Sequence, residues 1–182
     1  MIETEQTITI DRPIDLVWDH ARDIRGWAEL MPGMREFDLI DDDNSRWTLK
    51  VGVGGLVRTV KVNVRVDKWD GPGTVLFSYE LEGDPVKGGG SYQATPGAAG
   101  GTDIVLHVRV EGGGAMAPMW EAMGRPLLPT LAKAFAAQLK ERIEQATADA
   151  TGAAPAASAA AMKPPFLLRV FRWIRSLFGG KN

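Results

Sequence analysis

The chain has 182 residues, 45% of them apolar, and no cysteine: room for one domain of about 150 residues plus a tail, with no disulfide, thiolate metal site or cysteine nucleophile. Its net charge of −2 is uneven, because the last twenty residues hold five basic residues and no acid, leaving 16 basic against 23 acidic residues, or −7, for the rest. An acidic body with a basic tail does not fit a nucleic-acid binder and points to an anionic partner for the tail alone.

In chain order, the opening MIETEQTITI lacks the basic start and apolar run of a secretory signal, and residues 4–10 read as a strand. Asp11 is placed to cap a helix that Pro13 opens and that runs through Leu16, Val17 and Trp18. A second short helix covers 24–31 and stops at Pro32-Gly33. Residues 34–40 form a weak strand. Trp47, Leu49, Val51 and Val53 make a period-two stripe, as do the valines of Val60-Lys61-Val62-Asn63-Val64-Arg65-Val66. Val75, Phe77, Tyr79 and Leu81 form another, residues 90–95 a short strand, and 103–111 a strand with Ile104, Leu106, Val108 and Val110 on the face opposite His107 and Arg109. Glycine-rich turns separate them.

Gly112-Gly113-Gly114 then leads into a Met-rich stretch interrupted by Pro118, Pro126 and Pro129, which predicts a kinked or split segment. Leu128, Leu131, Phe135, Leu139 and Ile143 recur at helical steps and predict a long helix. The domain thus covers 1–148. Residues 149–165, rich in Ala and Pro, form a linker spanning roughly 20–25 Å if flexible. Residues 166–178 form a tail helix, and 179–182 a disordered end. The architecture is α+β: a curved antiparallel sheet of about seven strands wrapped around the long C-terminal helix, with two short helices after the first strand. Such a grip rarely closes fully, and an apolar cavity between sheet and helix is the expected consequence.

Period two turns Trp47, Val62, Phe77, Tyr79, Tyr92, Leu106 and Val108 inward, facing Leu131 and Phe135 of the helix, as core or as ligand contacts. A buried Tyr79 or Tyr92 hydroxyl needs a partner, which a quinone carbonyl could supply. Met116, Met119, Trp120, Met123 and Leu127 keep helical spacing and form either ordinary core or a lip over the cavity mouth, hinged at the triple glycine. Trp27, Leu30 and Met31 would form the opposite lip. No catalytic constellation stands out. His20 and His107 lack neighbours at metal-ligand spacing, no serine sits in a nucleophile elbow, and Asp41-Asp42-Asp43-Asn44 reads as a turn. No metal and no covalent cofactor is expected.

On a helical wheel of the tail, Phe166, Leu167, Val170, Phe171, Trp173, Ile174, Leu177 and Phe178 share one arc. Arg169, Arg172 and Arg175 occupy the other, with Leu168 misplaced. At about 20 Å the helix is too short to span a bilayer but suits the plane of an anionic membrane surface. The alternative is docking on its own domain or on a partner protein.

The run from Thr7 to Trp18 resembles the opening of the START-like, or SRPBCC, superfamily, which shares the helix-grip fold. Trp27-Ala28-Glu29-Leu30-Met31-Pro32-Gly33, with the later Val51-Gly52-Val53-Gly54-Gly55 hairpin, resembles the CoxG group, proteins that accompany carbon monoxide dehydrogenases. That group's cysteine before Met-Pro-Gly falls at Leu30 or Met31 here. The resemblance covers roughly 2–145. It implies a non-enzymatic, membrane-tethered carrier, peripheral on the cytoplasmic face of the cell membrane. Its ligand would be a non-covalently held quinone, such as menaquinone, or a lipid. Its partner would be a molybdenum-containing carbon monoxide dehydrogenase-like oxidoreductase. A pure tether without ligand, and a cyclase or hydrolase, are the alternatives.

Overall fold

Seven strands lie in one antiparallel sheet of order β1-β7-β6-β5-β4-β3-β2. The computed structural model describes residues 1–53 and 56–152, and Met1–Thr151 form one compact unit. The strands are β1 (Ile2–Ile10), β2 (Met34–Leu39), β3 (Asn44–Val53), β4 (Leu56–Asp70), β5 (Thr74–Leu81), β6 (Val86–Pro96) and β7 (Thr102–Gly112). Between β1 and β2 come α1 (Ile14–Ala21) and α2 (Ile24–Leu30), and α3 (Ala117–Gly152) follows β7. This is the expected helix-grip architecture.

The sheet keeps one dry face through two irregularities. Val66 pairs with Phe77 but Lys68 pairs with Leu76, so Asp67 is an extra residue. The bulge resets the alternation: Val66 and Trp69, three apart, both pack on the core side. A second shift between Met34 and Glu36 does the same for Met34 and Phe37. Without these resets, each strand's far half would turn its apolar set to water.

Three local expectations change. Asp11 does not cap α1: Pro13 occupies the N-cap, no side chain caps it, and the Pro13 carbonyl accepts from the Leu16 and Val17 amides. The cap lies instead on α2, where Asp23 accepts from the Arg25 amide at 3.0 Å. The Met-rich stretch is not split from the long helix. α3 runs from Ala117 to Gly152 with Pro126 and Pro129 inside it, and only a short 3-10 turn, Gly114–Met116, precedes it. Strand β6 starts at Val86, four residues before the expected 90–95 strand.

The two halves of α3 do different work. In the C-terminal half, Phe135, Ala136, Leu139 and Ile143 are buried in the core with Ile10, Val17, Ala21, Ala28 and Ile104. Polar contacts fix the same half: Arg142 pairs with Glu29 of α2 at 2.8 Å, and Lys140 donates to the Thr9 carbonyl of β1. Residues 149–152 of the expected linker continue α3. The rest of the linker, the 166–178 helix and the 179–182 end lie outside the described residues.

Leu139, 1% exposed, should therefore cost about 2–5 kcal/mol when changed to alanine. Met119, 44% exposed, should stay within about 0.5 kcal/mol. Denaturant titration of the two variants measures the difference.

Candidate functional site

Between the N-terminal half of α3 and the sheet lies a cavity of about 250 Å³. Its wall is almost wholly apolar. β3 contributes Trp47, Leu49 and Val51; β4 contributes Val60, Val62 and Val64; β5 contributes Phe77, Tyr79 and Leu81; β7 contributes Leu106, Val108 and Val110. Trp27 and Met31 close it from the α2 side, and Trp120, Met123, Leu127, Leu128, Leu131 and Phe135 of α3 form the roof. Exposure grades along it. Trp27, Trp47, Val62, Leu106 and Phe135 are buried, whereas Gly52 and Arg58 are exposed and mark the mouth.

Thirteen of the seventeen residues singled out from the sequence border this cavity, and four do not. Met116 lies in the 3-10 turn ahead of α3, half exposed. Met119 is one residue, or about 100°, round from Trp120, which puts it on the solvent side of the helix. Leu30 is buried in the core, about 100° round from Met31, and does not border the cavity. Tyr92 is fully buried beside Trp27, with ring centroids 5.9 Å apart, and does not reach the cavity either. The expected partner for the Tyr79 hydroxyl also changes. It donates to the Arg109 carbonyl at 2.8 Å, so the chain itself satisfies it.

The missed lining residues carry a readable signal: Leu49, Val51, Val60, Val64 and Val110 continue stripes whose other members point inward. Arg58 does not. Its place in the register opposite Val51, two residues before Val60, puts it on the inner face at the cavity's open end. There it bonds Asp84 at 2.8 Å and lies over the Trp120 ring, 5.3 Å from its centroid, tying β4 to the turn before β6 and to α3 across the mouth. The other charged lining residue, Glu121, is hydrogen-bonded by the Met1 ammonium, which holds its carboxyl below the usual range.

The space depends on glycines in β6. A Cβ on Gly88 would stand 2.3 Å from the Arg109 carbonyl oxygen and 2.4 Å from the Tyr79 ring, and one on Gly90 would stand 2.1 Å from the His107 carbonyl oxygen and 2.7 Å from the Phe77 ring. The two aromatic rings thus lie across the neighbouring strand where side chains are missing. Burial pushes the Tyr79 and Tyr92 phenols up, since the phenolate would lose its hydration, and both remain protonated donors at ordinary pH. His107 sits on the outer face, 3.4 Å from Glu3. Among the described residues, no group of three or more His, Asp or Glu is arranged to hold a metal ion.

Gly88→Ala should push against both the Arg109 carbonyl of β7 and the Tyr79 ring, break the bond between them and cost about 3 kcal/mol or more. Thermal unfolding reads the cost, and the NMR chemical shifts of the Tyr79 ring protons read the ring's new surroundings.

Solved structures share this architecture. A conserved protein from Geobacillus kaustophilus superposes with a TM-score of 0.69 at 19% identity, covering 80% of this chain and 97% of that one. An aromatase/cyclase from Streptomyces gives 0.59 at 20% identity, covering 83% and 98%. A START superfamily protein from Mycobacterium smegmatis gives 0.57 at 15%, covering 79% and 98%. At these identities the likeness is one of fold. No curated protein matches the chain in sequence. The model of the polyketide cyclase / dehydrase and lipid transport family, however, matches residues 1–144. The chain belongs to that family, within the START-like superfamily of proteins that bind hydrophobic ligands.

Proposed function

We propose that the domain is a non-enzymatic carrier of an apolar ring compound, of the respiratory quinone class, and that the basic tail holds it at a membrane surface. One observation carries the reading. The cavity wall is almost wholly apolar, and its two charged members, Arg58 and Glu121, are engaged with Asp84 and the Met1 ammonium. A general acid or base needs a positioned group that titrates near the working pH, and the one phenol of the lining, Tyr79, is held protonated by burial and already bonded to the Arg109 carbonyl.

The volume limits the cargo. About 250 Å³ lies just under the usual range of small-molecule pockets, which starts near 300 Å³. A fused-ring head fits inside, while an isoprenoid or acyl chain must continue through the mouth. Such a ligand exchanges most readily with a bilayer. The tail arginines, each contributing about 1 kcal/mol at an anionic leaflet, would keep the domain there. The resemblance to the CoxG group supplies the partner: a molybdenum-containing, carbon monoxide dehydrogenase-like oxidoreductase whose electrons or quinone the carrier would serve.

A cyclase is the second reading, since the family description includes that activity. Organic extraction of the purified full-length protein, followed by mass spectrometry, separates the two. The carrier reading expects a stoichiometric quinone or prenyl lipid, and it fails if none copurifies and none binds when added. Turnover of a polyketide-like substrate would revive the cyclase. Deleting residues 163–182 should abolish sedimentation with anionic vesicles and leave ligand binding in solution intact. If the truncated protein still sediments with the vesicles, the tail is not the anchor.

A further inference from the structure

Two buried side-chain polar atoms among the described residues have no hydrogen-bond partner: Trp27 Nε1 and the Tyr92 hydroxyl. They belong to adjoining rings, and Trp27 is part of the cavity wall. Comparable groups elsewhere are paired. Trp47 Nε1 donates to Ser45 Oγ at 2.9 Å, Trp69 Nε1 to Asp43 Oδ1 at 3.0 Å, and the Tyr79 hydroxyl to the Arg109 carbonyl at 2.8 Å. Native interiors leave few polar groups unpaired, so two orphans on adjoining rings, one of them in a cavity wall, call for a partner from outside the chain.

We propose that Trp27, in the cavity wall, and Tyr92, directly behind it, form a polar subsite next to the cavity that binds the acceptor oxygen of an otherwise apolar ligand, namely the carbonyl of a ketone or quinone. The chemistry selects this class. An indole N–H only donates, a protonated phenol donates, and a carbonyl oxygen has two lone pairs to receive both. A hydrocarbon leaves both donors unpaired. A carboxylate would have to bury its charge among Phe77, Phe135 and Leu106, with no cation at the floor. Both polar atoms are sealed from water in this structure and Tyr92 lies behind the Trp27 ring, so the subsite is reached only by a ligand that displaces that ring from the wall. The inference rests on the carrier reading and specifies what its subsite recognises.

Equilibrium dialysis of the full chain with two probes tests it: menadione, a methylnaphthoquinone, and methylnaphthalene, the same fused rings without oxygens. Trp27→Phe and Tyr92→Phe each keep an aromatic ring and remove the donor. Each should weaken menadione binding about three- to tenfold and leave methylnaphthalene unchanged. The carbonyl stretch of bound menadione should lie lower in the parent than in the double variant. Tyr92→Phe should unfold at the parent's temperature or above, because it removes an orphaned hydroxyl, so it decides the matter even if Trp27→Phe fails to fold. Unchanged menadione affinity in Tyr92→Phe, with methylnaphthalene still bound, overturns the subsite and leaves the carrier standing. If the parent binds neither probe, the carrier reading fails and the subsite falls with it.

Discussion

The interior turns on Trp27. Its indole is wedged against Phe77 of β5, Tyr92 of β6 and Phe135 of α3, with ring centroids 6.0, 5.9 and 5.8 Å away. One side chain from the short α2 therefore joins two strands and the long helix. On one side of it, Ile10, Val17, Ala28, Ile104, Leu139 and Ile143 pack without space. On the other side the cavity begins. The partition explains the division of labour along α3. A helix of 36 residues is about 54 Å long and α3 is continuous through Pro126 and Pro129, so seating its C-terminal half sets the direction in which the other half leaves the core. That half is held off the sheet, with Leu131, Leu128, Leu127 and Trp120 looking into the gap.

Keeping a gap open in a protein interior requires something to prevent collapse. Here the strands supply it through their inner face. Where β6 carries Gly88 and Gly90, the Tyr79 and Phe77 rings come close over it, and Tyr79 is tied to the Arg109 carbonyl on the strand beyond. The rings are part of the wall and cannot swing into the void without giving up that bond or uncovering the glycines. Trp47, anchored by its own bond to Ser45, is held in the same way from β3. Two of the wall's aromatic rings, Tyr79 and Trp47, thus have tethered polar ends, whereas the buried Nε1 of Trp27 has none.

Much of this was legible in the sequence, for reasons that also define what was not. Alternation in β3, β4, β5 and β7 gives the inward stripes directly, because one face is dry and the other wet. The first half of β6 is invisible to that test: Gly88, Gly89 and Gly90 have no side chains to alternate, and glycine is depleted in strands. Only the rings of the neighbouring strand make sense of them. The bulges at Asp67 and near Arg35 likewise leave no mark in the pattern except a skipped beat. Met116 and Met119 group with Trp120 by spacing, which suggests one helix face, but where α3 starts and which way it turns are decided by the packing of Phe135 and Leu139 far along the chain. The partner of Tyr79, a carbonyl 30 residues away, could not be inferred from local sequence at all.

Arg58 shows how one residue can serve both sides of a mouth. An alternating strand that carries arginine on its dry face looks like an error, yet the side chain is long enough to lay its stem against the apolar rim while its head stays with Asp84 and over Trp120. Outward, the mouth presents a neutralised ion pair; inward, it presents methylenes and an indole face. An apolar molecule passing through meets no unpaired charge, because the guanidinium already has both a carboxylate and a ring. The same two contacts bridge β4, the turn before β6 and the first part of α3, so widening the mouth means breaking them together. These are exposed interactions, each weak in water.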